Sequence, residues 1–295
     1  VVTLSRARDL LVEAGLPGSD PAEPAASELR FADGGMYKWE VAGAVDSPSV
    51  AALAGRLRRD GVRLHQVTNT VGTMRYLDRQ LTDLVQTCAE LGVQLRMAVG
   101  PRGLFDIGGQ KLASGVVAAA SAYRLRGTDQ LAQAVDDVAH AVDLGVRGFL
   151  VFDEGLLTVL ATVFPDLRLK ASSNMGAANP AHVRLLAGAG ADSVNVQRDL
   201  DVRMLAAIRS ATTVALDVHT DNPRGTGGFI RGYDVPEIVR VAAPVYLKSG
   251  NAAQDFSDEA PTAGQIDAIA HQILLDDQLL RRLNPAAVPS DKAEF

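Results

Sequence analysis

The stretch 77–99, LDRQLTDLVQTCAELGVQLRMAV, holds one structural unit in readable form. Leu81, Leu84, Cys88 and Leu91 recur at helical spacing, Gly92 interrupts the run, and Val93 leads into a strand candidate at Gln94–Val99. Glycine at a helix C-terminus takes the left-handed conformation at little cost, and the next residue can enter a sheet. The same junction returns at Gly61-Val62, Gly145-Val146 and Gly190-Ala191. Helices that end this way and lead into strands read as βα units on a parallel sheet.

Working outward, eight strand candidates follow in order: Tyr37–Val41, Arg63–Val67, Gln94–Val99, Arg147–Phe152, Arg168–Ser172, Ser193–Val196, Val214–Val218 and Val245–Lys248. Helical spacing fills the gaps at Val50–Arg59, Leu77–Leu91, Asp129–Leu144, Gly155–Val163, Pro180–Ala189, Asp201–Ala211 and Pro236–Ala242, and Gln265–Leu280 closes the series. Eight strand–helix pairs over about 250 residues is the count of a (β/α)8 TIM barrel. An open doubly wound sheet would show a glycine-rich first turn, which this chain lacks after its first strand. The expected organisation is an N-terminal helical lead-in and connector at 1–30, with a helix at Leu4–Ala14, then the barrel at 31–283 and a C-terminal tail at 284–295.

Composition bounds the function. The 295 residues are 47% hydrophobic, enough to bury one large core, and the net charge of -6 gives no general attraction to nucleic acid or anionic lipid. No apolar run reaches the roughly 20 residues that span a bilayer, and the N-terminus shows no basic-then-apolar leader, so a cytoplasmic protein without membrane or nucleic-acid partners is expected. A homo-oligomer is compatible with the sequence. The single cysteine, Cys88, sits in an apolar helical stripe, where a buried inert thiol is expected. One cysteine cannot build a disulfide framework or an iron–sulfur cluster.

The turns entering strands are tight and several leaving them are long, which puts the site at the strands' C-terminal ends. The exit at 100–128 carries Arg102, Asp106, Gly108-Gly109, Gln110 and Lys111; the exit at 220–234 carries Arg224, Gly225, Gly227-Gly228 and Arg231. Both have the glycines and basic residues of lids that close on a polar substrate.

Alternation along the strands sorts the side chains. Val214, Leu216 and Val218 facing out turn Asp217 and His219 inward, and Val245 and Leu247 do the same for Tyr246 and Lys248. Lys38 and Glu40 come inward from the first strand, Arg96 from the third, Lys170, Ser172 and Asn174 from the fifth, and Asn195 and Gln197 from the sixth. The second strand admits either His65 or Gln66 and Thr68, and the fourth ends in Asp153-Glu154 without a clear phase. Barrel interiors are normally layered with Val, Ile and Leu, and a buried unpaired charge costs several kcal/mol. So many inward polar groups imply a polar ligand, against the alternative that Lys248–Asp217 and Lys170–Glu40 pairs only stiffen the barrel.

Three chemistries suit these residues. Asp217 and His219, two apart on one strand face, lie about 7 Å apart and with Glu40 could hold a divalent metal ion, Zn2+, Mn2+ or Mg2+, the candidate cofactor. His219 could instead be a general base oriented by Asp217 or Asp221. Lys170 or Lys248 could form a Schiff base, or hold a carboxylate or phosphate as a point charge. Arg96, Arg102, Lys170 and Lys248 supply converging positive charge, and Gly225-Thr226-Gly227-Gly228 and Lys248-Ser249-Gly250-Asn251 offer backbone N–H groups.

The motifs Phe164-Pro165-Asp166-Leu167, Ala171-Ser172-Ser173-Asn174-Met175, Asn179, Gly190-Ala191-Asp192 and Arg198-Asp199-Leu200 resemble those of the collagenase-like peptidase family U32. The likeness covers Asp136–Ile208, with a fainter echo at Leu81–Val93. It implies a barrel whose wall includes Ser172, Asn174, Asn195 and Arg198. Members of that family are peptidases by description, and several hydroxylate RNA bases or quinones with a four-cysteine iron–sulfur cluster. This chain departs where the family carries its His-Gly and cysteine-bearing stretch, reading Asp217-Val218-His219-Thr220-Asp221-Asn222 instead.

The resulting expectation is a TIM-barrel enzyme of lyase or hydrolase type acting on a small anionic metabolite. His219, Asp217, Glu40, Lys170 and Lys248 are the candidate catalytic groups. Arg96, Arg102, Ser172, Asn174, Asn195, Gln197, Arg198 and Tyr246 are the candidate substrate contacts. A peptidase-like hydrolase and a non-catalytic ligand-binding barrel are the alternatives.

Overall fold

The computed structural model describes residues 3–102, 123–223, 228–253 and 259–292. Strands β1 (Tyr37–Ala42), β2 (Gln66–Asn69), β3 (Gln94–Ala98), β4 (Gly148–Val151), β5 (Arg168–Ala171), β6 (Ser193–Asn195) and β7 (Ala215–His219) follow one another. A short antiparallel pair, β8 (Asp221–Asn222) and β9 (Phe229–Ile230), precedes the last strand, β10 (Val245–Lys248). Eight of these strands, all parallel, close into a barrel in the order β1-β10-β7-β6-β5-β4-β3-β2. The chain is a (β/α)8 barrel with an N-terminal helix, as its junctions predict.

The surrounding helices are α2 (Ser47–Arg59), α3 (Asp78–Leu91), α4 (Gly127–Asp143), α5 (Glu154–Val163), α6 (Pro180–Gly188), α7 (Val202–Ser210), α8 (Val235–Ala242) and α9 (Ala263–Leu283), after α1 (Leu4–Glu13). Several start on side-chain caps: Asp46, Asp153, Asn179 and Asp201 each accept a backbone N–H from the first turn. Gly92 ends α3 at φ 64°, the left-handed conformation inferred from its position. Gly190 has φ 109°, and a Cβ there would lie 2.3 Å from Ala161 Cβ, so glycine is needed for both backbone and space.

The outward side chains of the strands, including Trp39, Val41, Val67, Met97, Phe149, Val151, Leu169, Val194, Leu216, Val218, Val245 and Leu247, form one apolar core with the helices. Ladder pairing therefore fixes every inward position. In β2 the ladder with β1 begins at Glu40 and Gln66, later in the chain than the expected start at Arg63, and Gln66 and Thr68 are the inward pair. In β4, Phe149 and Val151 face the helices, while Leu150 and Phe152 form a small interior apolar group with Ala98 and Tyr123.

The segment around Ser290 lies across the N-terminal end of the barrel. Pro289 bridges to Tyr37, His65 Nε2 meets the Ser290 carbonyl at 2.8 Å, and the Ser290 hydroxyl donates to Asp33 at 2.7 Å. Since His65 Nδ1 accepts the Trp39 N–H at 2.9 Å, its proton is on Nε2 and is donated to Ser290. The N-terminal lead-in runs beside α6 and α7, with Arg184 donating to the carbonyls of Ala14 and Gly15 and Arg203 to that of Pro21. Among the described residues no helix is long and apolar enough to cross a membrane.

Candidate active site

The pleat brings side chains from six strands together inside the barrel. Glu40 of β1 is fully buried and accepts from Gln66 Nε2 at 2.7 Å, Thr68 Oγ1 at 2.7 Å and Lys170 Nζ at 2.5 Å. Lys248 of β10 pairs with its other oxygen at 2.8 Å. Lys170 of β5 also bonds Asp217 of β7, so one ammonium bridges two carboxylates. Lys248 continues the network by donating to Asn195 Oδ1 at 2.7 Å, and Asn195 Nδ2 donates to the Ala171 carbonyl at 3.1 Å. Tyr246 lies beneath, its ring centre 4.3 Å from Lys170 Nζ and its hydroxyl donating to Gln94 at 3.1 Å.

Burial and pairing set the charges. Burial alone would raise the Glu40 carboxyl, but Lys170 and Lys248 overcome it and hold Glu40 well below the usual range, so it is ionised. Burial first, and then the Glu40 charge beside it, push Asp217 up to about 8. Asp217 therefore carries a proton near neutral pH, within hydrogen-bond reach of Glu40. Burial likewise lowers Lys170, against the pull of Asp217 and Glu40. His219, at the end of β7, is 5% exposed and lies well below the ordinary histidine range, through burial and then the Lys248 and Arg198 charges. It is neutral, and its buried Nδ1 has no hydrogen-bond partner among the described residues.

Several expected arrangements are not formed. Glu40, Asp217 and His219 do not make a metal site: Lys170 occupies the space between the carboxylates, and among the described residues no group of three His, Cys, Asp or Glu side chains is placed to hold an ion. No bond from Asp217 or Asp221 orients His219. Asp217 takes Lys170, and Asp221 accepts the backbone N–H groups of Asn251 at 3.0 Å and Ala252 at 2.9 Å, tying together the loops after β7 and β10. The pairing is also redistributed: Lys170 bridges both carboxylates and Lys248 pairs with Glu40, not Asp217.

Arg96 turns away from this cluster. Its Nε donates to Gln66 at 3.0 Å, and its Nη2 pairs with Asp192 at 2.9 Å at the opposite end of the barrel. Arg102 lies above β3 and donates to the carbonyls of Thr70 and Val71, 5.6 Å from the Phe152 ring centre. Ser172 caps the turn after β5 by accepting the Asn174 N–H at 3.2 Å, and Gln197 donates to the Ser173 carbonyl at 2.6 Å. Asn174 and Arg198 are half-buried at the same end, both beside Tyr123. Gln66 and Thr68 are the members of the cluster the sequence left unassigned. Their signal was the short alternation Gln66-Val67-Thr68, with its apolar residue in the middle. Asp106, Gly108, Gly109, Gln110 and Lys111, and Arg224, Gly225, Thr226 and Gly227, lie outside the described residues. Arg231 is described and anchors the loop after β6 through the Leu200 carbonyl at 2.8 Å. Cys88 is buried in α3, and burial pushes its thiol up to about 12, so it is inert as a nucleophile.

Fold and site together define a (β/α)8 barrel whose interior holds an ionic cluster below the C-terminal mouth. Over residues 113–222 the chain matches the model of Peptidase family U32, so the resemblance read in its motifs holds for that part. No curated protein matches it. Among solved structures it is similar to the U32 peptidase Mk0906, at 20% identity over 68% of this chain and 72% of that one, with a TM-score of 0.42. It is also similar to a structure described as native KDPGal, at 9% identity, 86% and 98% coverage and a TM-score of 0.51. A third is thiamine phosphate pyrophosphorylase from Pyrococcus furiosus, at 12% identity, 83% and 98% coverage and a TM-score of 0.47. The KDPGal likeness is one of fold.

Proposed function

We propose that this barrel is an enzyme acting on a small, polar, anionic metabolite by acid–base chemistry of the lyase or hydrolase type. The observation that carries the reading is the geometry under the mouth: Lys170 and Lys248 converge on Glu40, and Lys170 also bonds Asp217. Burial and the Glu40 charge push the Asp217 carboxyl up, so it offsets the two ammonium groups less than a free carboxylate would, and a substrate carboxylate or phosphate would complete the balance.

The groups divide by accessibility. Lys170 is fully enclosed and acts as an electrostatic anchor. Lys248, at the end of β10 with its side chain 5% exposed, is placed to hold a substrate oxygen and to stabilise negative charge that develops on it. Neutral His219, 5% exposed at the end of β7, offers its imidazole as proton acceptor, so a proton leaving the substrate moves to the ring while Lys248 holds the charge left behind. Asn195 keeps the Lys248 ammonium aimed.

A thermal-shift screen of metabolites tests this reading. A carboxylate or phosphate ligand at a hundred times its dissociation constant should stabilise the protein by about 2.7 kcal/mol. The shift should vanish in Lys248→Met, and turnover of the same compound should vanish in His219→Asn while binding persists. Hits confined to neutral compounds or extended peptides, or a shift unaffected by Lys248→Met, would refute it.

A further inference from the structure

We propose that the N-terminal mouth of the barrel is a second binding site, for a small anion of the phosphate class, walled by Lys38, Arg168 and Arg30. A cavity of about 290 Å3 opens there, at the strand ends opposite the ionic cluster. Its lining includes the first residues of β5 and β7, Arg168 and Ala215, and the segment around Ser290.

The charge in this cavity is one-sided. Among the described residues, Arg30, Lys38, Arg96, Arg168 and Lys292 line it against Asp33 and Asp192, a formal surplus of three positive charges. Both carboxylates are already committed. Asp192 takes Arg96 at 2.9 Å, and Asp33 accepts the Ser290 hydroxyl at 2.7 Å and the backbone N–H groups of Gly35, Asp291 and Lys292 at 3.0, 2.8 and 3.0 Å. Lys38 is 3% exposed, with its Nζ 4.7 Å from the Phe31 ring centre. Lys38 is lowered to about 8, by burial first, with Asp33 opposing and Arg96 adding to it, the condition an incoming anion would relieve.

Size and shape narrow the ligand. The cavity is at the lower bound of ligand pockets, about 300–1,000 Å3, which suits inorganic phosphate or a small phosphomonoester. One wall is aromatic, with Phe31 edge-on to Tyr246 at 5.4 Å. Arg96 belongs to this cavity and also donates to Gln66, which donates to Glu40, so a hydrogen-bonded chain joins the two mouths. The inference stands independently of the chemistry proposed for the C-terminal mouth.

The test uses the Lys248→Met protein, in which anion binding at the other mouth is weakened. Inorganic phosphate, and separately glycerol 3-phosphate, are titrated against chloride at matched ionic strength, reading melting temperature and calorimetric heat. A saturable rise of a few degrees is expected, with affinity lowered at least about tenfold when Lys38→Met or the exposed Arg168→Ala is added. If Lys38→Met does not fold, Arg168→Ala alone decides. Binding of the ester but not of inorganic phosphate supports the site and identifies a phosphorylated metabolite as its source. Binding of inorganic phosphate supports the free ion. No saturable response beyond chloride, or one that survives Arg168→Ala unchanged, overturns the proposal, and neither outcome bears on His219 chemistry.

Discussion

Replacing Lys170 with methionine removes the ammonium that bridges Glu40 and Asp217 and leaves the chain length of the side chain nearly intact. Breaking a buried ion pair from one side costs about 3–5 kcal/mol, because the partner charge stays behind. The lower end applies near neutral pH. Asp217 is already protonated there, and Glu40 keeps Lys248 at 2.8 Å with Gln66 and Thr68 at 2.7 Å, so the expected loss is about 3 kcal/mol. The pH dependence is more diagnostic. A carboxyl whose folded pKa is raised binds its proton more tightly in the folded state, so its contribution declines as pH rises from the unfolded value of 3.8 to about 8. Without Lys170, Asp217 titrates higher still and the decline continues past that point. The gap between wild type and variant should therefore widen by up to about 1.4 kcal/mol for each pH unit above 8. Urea unfolding followed by the single tryptophan, Trp39, buried in β1, measures both quantities. Adding Asp217→Asn to both proteins should abolish the widening above pH 8, because the group that titrates there is gone. A single variant within about 0.5 kcal/mol of wild type at pH 7, or a gap that stays constant from pH 7 to 9, would show that Lys170 does not hold this cluster.

Other outcomes follow from separate features. His65 is held at about 4 by burial, so its contribution is complete above 6.5 and is lost as pH falls toward 4; this acid limb of about 3 kcal/mol should be absent in His65→Gln, and equal acid slopes would contradict it. Because an ammonium fills the space between Glu40 and Asp217, Zn2+, Mn2+ and Mg2+ should give no saturable thermal shift in wild type, whereas Lys170→Met should gain one; a wild-type shift lost in Asp217→Asn would restore the metal reading. Borohydride reduction in the presence of carbonyl metabolites should leave Lys170 unmodified, and an adduct on its tryptic peptide would reverse that expectation. Gly190→Ala should cost more than the roughly 1–2 kcal/mol of left-handed strain alone, because its Cβ meets Ala161 at 2.3 Å; Gly176→Ala, at φ 83° with open space around it, is the strain-only control in the same unfolding assay.

The barrel was legible because its signals are local. Helix spacing and the Gly92 and Gly190 junctions depend on neighbours in the chain, and ladder pairing only confirmed them. The inward facing of Glu40, Lys170, Asp217, His219 and Lys248 was legible for the same reason, since alternation needs only an apolar partner set. Partner choice was not. Whether Lys248 meets Asp217 or Glu40 depends on strand tilt and on the register that sets Glu40 beside Lys248, both properties of the closed sheet. Arg96 shows the limit most clearly. Alternation turned it inward correctly, but its long side chain runs toward Asp192 at the far end, and no pattern in the sequence states which way along the axis a guanidinium will reach.

Strand β4 gives the interior an asymmetry of its own. Leu150 and Phe152, with Ala98 and Tyr123, make one sector of the inner wall greasy, whereas β1, β5, β7 and β10 make the remainder ionic. A ligand of the class proposed above would meet unlike flanks and would favour one rotation about the barrel axis, its charged edge toward the lysines and its hydrocarbon edge toward Phe152. The lumen would then sort amphiphilic compounds by facial layout as well as by size, and enantiomers differing in that layout would not enter equally.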